Sequence, residues 1–324
     1  MSDSHPLSPR QAVQRALAGR WPGRLLRGEL AIDDAFVRDF VGLEGEAIPW
    51  AARHAVLQRL RHDLAVVSFS HGWGSPVQPD QDEALYLLRE WRSESDLFVF
   101  ALVDGPFSAA VKAWGWEQAL LRLTRPTPDV PRFMAEAVVE QAEFVQRLAA
   151  LGADGILLGD DIAYRRSTTI QPAALRQSYF PFLTLLVEAC QQAGLPVVFH
   201  SDGNLWEVLE DLLATGVNGL QGLEPGAGMS LAGVRARVGL ELCLWGNVDV
   251  GWLAQPRPAA EISAEVGRLL APLAGTPVIL GTSGGLMAGV PGVNVEAMIH
   301  LQDQPLPNSA PERAFRTERE WPDG

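Results

Sequence analysis

The sequence predicts a single (β/α)8 barrel, and three observations predict it. Short apolar runs rich in Val, Ile and Leu alternate with amphipathic stretches from residue 64 to residue 301, the pattern of parallel strands joined by crossover helices. With the earlier run at residues 25–32, eight strand–helix units can be counted, the arithmetic of a closed barrel whose C-terminal strand ends form the working face. No G-x-G-x-x-G follows the first strand, so the glycine fingerprint of a doubly wound dinucleotide-binding sheet is missing. The 324 residues then make one domain, with residues 1–20 as an N-terminal extension and 303–324 as a flexible tail.

The units follow in order. A short helix over residues 11–18 precedes the first strand, 25–32, which tolerates Gly28. Asp33 and Asp34 open a helix to residue 41 with acidic caps, and a second helix spans 49–62. The next strands are read over 64–69, 97–103, 155–159, 195–200, 219–223, 241–245 and 277–280. Helices are read over 82–92, 108–113, 116–123, 130–151, 172–193, 205–214, 231–238, 259–271 and 294–301.

The strand ends carry the chemistry. In Pro196-Val197-Val198-Phe199-His200-Ser201-Asp202-Gly203 an apolar run breaks off in a histidine and a carboxylate of the same parity, which therefore point one way if the extension persists. The ends of all eight strands present Glu29, His71, Asp104, Asp160 with Asp161, His200 with Asp202, Glu224, Asn247 with Asp249, and Ser283. In a barrel these converge on one mouth. Crowded carboxylates and histidines perturb one another's proton affinity and suit acid/base work, and the same groups are ligands for a divalent metal. Asp104 before Gly105-Pro106 also reads as a turn residue, and Asp249 as a cap. Small residues crowd the last loop, 281–292, permitting close approach of a ligand, and Trp73, Trp206 and Trp245 lie near strand ends where they would wall a planar one.

Composition bounds the partners. The chain is 47% hydrophobic and 20% charged, with a net charge of −13, opposite to the basic face a nucleic-acid binder shows. Two cysteines, Cys190 and Cys243, sit in apolar patterns and make no disulfide framework. Neither a signal core nor an apolar run of the ~18 residues needed to span a bilayer is present, so a cytoplasmic, membrane-free setting and a small-molecule substrate are the expectation.

Four segments together resemble the uroporphyrinogen decarboxylase superfamily, which includes corrinoid-linked methyltransferases. They are Asp104-Gly105-Pro106-Phe107-Ser108, Gly152-Ala153-Asp154-Gly155 leading to Asp160-Asp161-Ile162-Ala163, His200-Ser201-Asp202-Gly203-Asn204, and Glu224-Pro225 followed by Gly246-Asn247-Val248-Asp249. The resemblance covers residues 25–301 and implies the same (β/α)8 fold. Porphyrinogen decarboxylases grip substrate carboxylates with an arginine-rich segment after the first strand, where this chain reads Glu29-Leu30-Ala31-Ile32-Asp33-Asp34. Their catalytic aspartate falls at His71, their tyrosine at Phe144 and their late histidine at Gly284. The zinc methyltransferases use His-x-Cys on the fifth strand and a later cysteine. Here His200-x-Asp202 and Gly284 stand at those places.

The resemblance therefore implies methyl transfer from a small methylated substrate, with zinc on His200 and Asp202 and a corrinoid protein as partner. A metal-independent decarboxylase using Asp160 or Asp161 as proton handler, and a non-catalytic small-molecule-binding barrel, are the alternatives. Asp160, Asp161, His200 and Asp202 are the expected catalytic residues. Glu29, His71, Asp104, Glu224, Asn247 and Ser283 are the expected substrate contacts.

Overall fold

Eight short strands carry the molecule: β1 (Leu26–Arg27), β2 (Leu64–Ser68), β3 (Phe98–Asp104), β4 (Gly155–Gly159), β5 (Val197–Ser201), β6 (Gly219–Gly222), β7 (Cys243–Val248) and β8 (Val278–Thr282). The computed structural model describes residues 6–45, 47–70 and 80–300. All neighbouring strands are parallel, in the order β1-β8-β7-β6-β5-β4-β3-β2. Asp63 closes the ring between the two end strands. Its N–H donates to the Arg27 carbonyl (2.8 Å), and its carboxylate accepts the Arg27 N–H (2.9 Å). Helices run on the outside between successive strands, as the alternation predicts.

Alternation along each strand divides the apolar residues into two cores. Leu26, Leu64, Phe98, Phe100, Leu157, Val198, Cys243, Trp245 and Ile279 fill the barrel. Val67, Val99, Ala101, Ile156, Leu158, Val197, Phe199, Leu220, Leu244 and Leu280 face the helices. Phe98, Phe100 and Trp245 make the interior aromatic, with centroids 4.7 and 5.5 Å apart. This packed interior is a floor under the mouth.

The N-terminal extension completes that floor. Ser8 and Gln11 form a reciprocal capping box and Pro9 sits in the first turn of helix Pro9–Leu17. Ala12, Val13, Ala16 and Leu17 of this helix join the barrel-interior core. Arg10 anchors it by donating to Asp154 (3.0 Å) and to the carbonyls of Leu97 and Ser95.

Two differences from the sequence reading bear on the wall of the barrel. β1 ends at Arg27 because the next rung of its ladder is made by side chains: the Gly28 carbonyl accepts the Trp245 Nε1–H (2.8 Å), and the Thr282 N–H goes to the Glu29 carboxylate (3.0 Å). The helix expected over 172–193 is two, Pro172–Ser178 and Phe180–Gln192, because Pro181 has no N–H to continue the first. The break leaves Tyr179 fully buried between them.

Candidate functional site

β4 and β5 lie side by side in register, Gly159 against His200. Leu157 and Val198 point into the barrel, so by parity Asp161, His200 and Asp202 rise from its wall at the C-terminal mouth. His200 Nε2 is 3.6 Å from Asp161 Oδ1, and that oxygen accepts the Asp202 N–H (2.8 Å). One donor atom each from Asp161, His200 and Asp202 lies within 4.8 Å of the other two. On its other edge, the His200 Nδ1 is 2.5 Å from Gln221 Oε1, on the inward face of β6. Nε2 is thereby turned toward the carboxylates.

The rim is stitched together. Gly203 donates to Glu224 (3.2 Å), Asn204 to the Tyr164 carbonyl (2.9 Å), and the Asn204 amide to Ala227 (3.0 Å). Gly203 has φ +87°, and a Cβ there would meet Tyr164 N at 2.5 Å, so only glycine fits. Partial desolvation raises the Asp202 pKa although the residue is exposed at the rim; His200 opposes the rise, and the charges of Asp161 and Glu224 add to it. Two carboxylates and an imidazole thus converge on one spot with no thiol among them, and Glu224 adds its charge from the rim. Imidazole and carboxylate are fitting zinc ligands, and two carboxylates with one imidazole also suit harder divalent ions.

The remaining expected site residues divide between the wall, the rim and the far side of the mouth. Asp160, next to Asp161, faces the helix layer and is fully buried. Its carboxylate accepts the N–H groups of Phe107 (3.0 Å) and Ser108 (2.7 Å) at the start of helix Pro106–Trp114, and the Tyr179 hydroxyl (2.9 Å). A Cβ on Gly105 would sit 2.0 Å from Asp160 Oδ2, which explains the glycine in Asp104-Gly105-Pro106. Burial pushes the Asp160 carboxyl up to about 7, against these hydrogen bonds. Glu29 is likewise buried in the wall. It is raised to about 7 by desolvation, against the hydrogen bonds from Thr282. It lines a small pocket of about 70 Å³ with His62 and Arg53.

Asp104 stands across the mouth on β3 and accepts a hydrogen bond from Ser70. Asn247 spends its amide on the carbonyls of Leu223 (2.6 Å) and Met229 (2.7 Å), tying the β6 loop to β7. Ser283 is buried just after β8, its N–H donating to Val248 (2.9 Å). Asp249 caps the turn Val250–Leu253. Trp245 lies in the barrel core below the mouth, and Trp206 donates to the Gly228 carbonyl (3.2 Å) at the rim. Both cysteine thiols are buried and pushed up to about 12 by desolvation, which makes them packing residues. His71 and Trp73 lie outside the described residues. Gln221, Tyr179 and Thr282 were not singled out by sequence; the inward parity of Gln221, two residues past Gly219, was the available signal.

The chain matches the family described as "Uroporphyrinogen decarboxylase (URO-D)" over residues 79–304. It belongs to the URO-D family. No curated protein matches it in sequence. Among solved structures, this URO-D protein resembles a methyltransferase from Methanosarcina mazei at 18% identity and TM-score 0.73, covering 92% of this chain and 98% of that one. It also resembles a Listeria monocytogenes protein described as a vitamin-B12-independent methionine synthase, at 12% identity and TM-score 0.54, covering 86% and 98%. Both likenesses establish the barrel fold. Among the described residues no helix is long and apolar enough to cross a membrane.

Proposed function

We propose that this URO-D protein is a metal-dependent enzyme that takes a methyl group from a small methylated substrate, with the metal, zinc in the first instance, held by Asp161, His200 and Asp202. The observation that carries the reading is the convergence of those three donors within 4.8 Å at the barrel mouth. A bound divalent cation would supply Lewis acidity there, polarising a substrate oxygen or stabilising a substrate thiolate. The residues of the chain do the rest. Asp161 and Asp202 balance the cation's charge, and the stitched rim fixes their positions before substrate arrives. Glu224 adds negative charge beside Asp202, which disfavours polycarboxylate substrates and favours neutral or cationic ones. The acceptor in this reading is a corrinoid protein.

Decarboxylation without metal would need a proton handler at the mouth. Asp160 has its carboxylate committed to a helix N-terminus and Tyr179, so of the two adjacent aspartates only Asp161 is placed for that task.

The test is metal analysis of zinc-loaded protein together with a screen of isotopically methyl-labelled methoxyarenes and methylamines, with and without a corrinoid protein. Stoichiometric metal and metal-dependent loss of label are expected. Metal below about a tenth of an equivalent per chain would overturn the reading.

A further inference from the structure

The Gln221 side chain contributes its oxygen to His200 and has no other hydrogen-bond partner among the described residues. It lies in a strand of glycines, Gly219-Leu220-Gln221-Gly222, and is fully buried. Gly222 has φ +94°, and a Cβ there would approach His200 Nδ1 to 3.3 Å and the Ser201 carbonyl to 3.1 Å. The imidazole edge is therefore held between the β6 backbone and the Gln221 amide. The contact is made by Oε1 at 2.5 Å, and Gln221 Nε2 is buried without a hydrogen-bond partner among the described residues. An amide oxygen only accepts, so Nδ1 must donate. A neutral imidazole has one N–H, which leaves Nε2 with a lone pair aimed at Asp161 and Asp202. The opposite amide orientation would donate to Nδ1, move the proton to Nε2 and block that lone pair.

We infer that Gln221 is a positioning residue that keeps the His200 proton on Nδ1 and so makes Nε2 the metal-binding atom. The unpaired Gln221 Nε2 is a local cost, since a buried donor without a partner destabilises the fold, and the one contact the amide makes is with His200. Ligating histidines generally need such a partner on the second nitrogen to fix ring orientation and tautomer. The inference rests on the metal reading, but its first readout uses metal-free protein, so the two fail separately.

The experiment compares wild type with Gln221→Met and Gln221→Glu. In metal-free wild type, ¹⁵N–¹H correlation spectra of the imidazole are expected to show the Nδ1–H tautomer of His200. Gln221→Met should lose that signature, bind zinc about 10- to 100-fold more weakly, and melt at the wild-type temperature or above, because the orphan donor is gone. Gln221→Glu keeps an acceptor and should restore the tautomer and wild-type zinc affinity or better. An Nε2–H tautomer in metal-free wild type would overturn the inference. So would zinc affinity within about twofold of wild type in Gln221→Met, or a Gln221→Met variant that loses affinity only in proportion to a loss of stability.

Discussion

Asp160 and Asp161 are adjacent in the chain and chemically unlike. Asp160 points into the layer between sheet and helices, where two backbone N–H groups and a tyrosine hydroxyl occupy it. Asp161 points to the mouth, where it faces His200 and accepts the N–H of Asp202. Glu29 repeats the first case, its carboxylate replacing a rung between β1 and β8. The difference teaches that parity, not position at a strand end, decides whether a carboxylate holds the wall or serves the site. It also separates proton affinity from access to the mouth: the two buried acids are the ones raised to about 7, and both have their carboxylates engaged inside the wall.

The largest effect expected in the wall is that of Asp160→Ala, which strands the N–H groups of Phe107 and Ser108 and the Tyr179 hydroxyl. Urea denaturation should show a loss of about 3 kcal/mol. A variant of unchanged stability that no longer binds metal would break the distinction between wall and mouth.

Glu29→Gln sharpens it by a smaller amount. Because the folded-state pKa of Glu29 is raised from 4.5 to about 7, its contribution is fully present below about pH 4.5 and is lost as pH rises through about 7. Asp160, raised from 3.8 to about 7, acts with the same sign. Glutamine at position 29 still accepts from Thr282 but does not ionise. The stability of Glu29→Gln, measured between pH 4.5 and 8, should therefore fall less steeply than wild type, with a relative gain of up to ~3 kcal/mol at the alkaline end. A slope equal to or steeper than wild type would contradict the wall assignment.

The sequence made the barrel legible because parallel strands buried on both faces read as apolar runs, and because each such run is followed by a helix pattern. It made His200 and Asp202 legible because both interrupt one of those runs with the same parity. Asp160 and Asp161 could not be told apart, since the register of β4 was not known beyond its apolar residues. Glu29 was placed at the mouth because β1 was read to Ile32, and nothing local announces that Trp245 and Glu29 would take over its ladder. Tyr179 was hidden inside a helix that Pro181 divides. Gln221 went unseen because it does not titrate and its partner is on another strand. The floor helix, Pro9–Leu17, was visible as a helix, but its role depends on contacts with β2 and β3 far along the chain.

The most direct measurement is zinc titration by calorimetry into Asp160→Asn and Asp161→Asn, both judged folded by circular dichroism. Wild-type stoichiometry and affinity are expected for Asp160→Asn, and loss of binding for Asp161→Asn. Wild-type zinc binding by Asp161→Asn, or loss of binding by a folded Asp160→Asn alone, would contradict the distinction between wall and mouth.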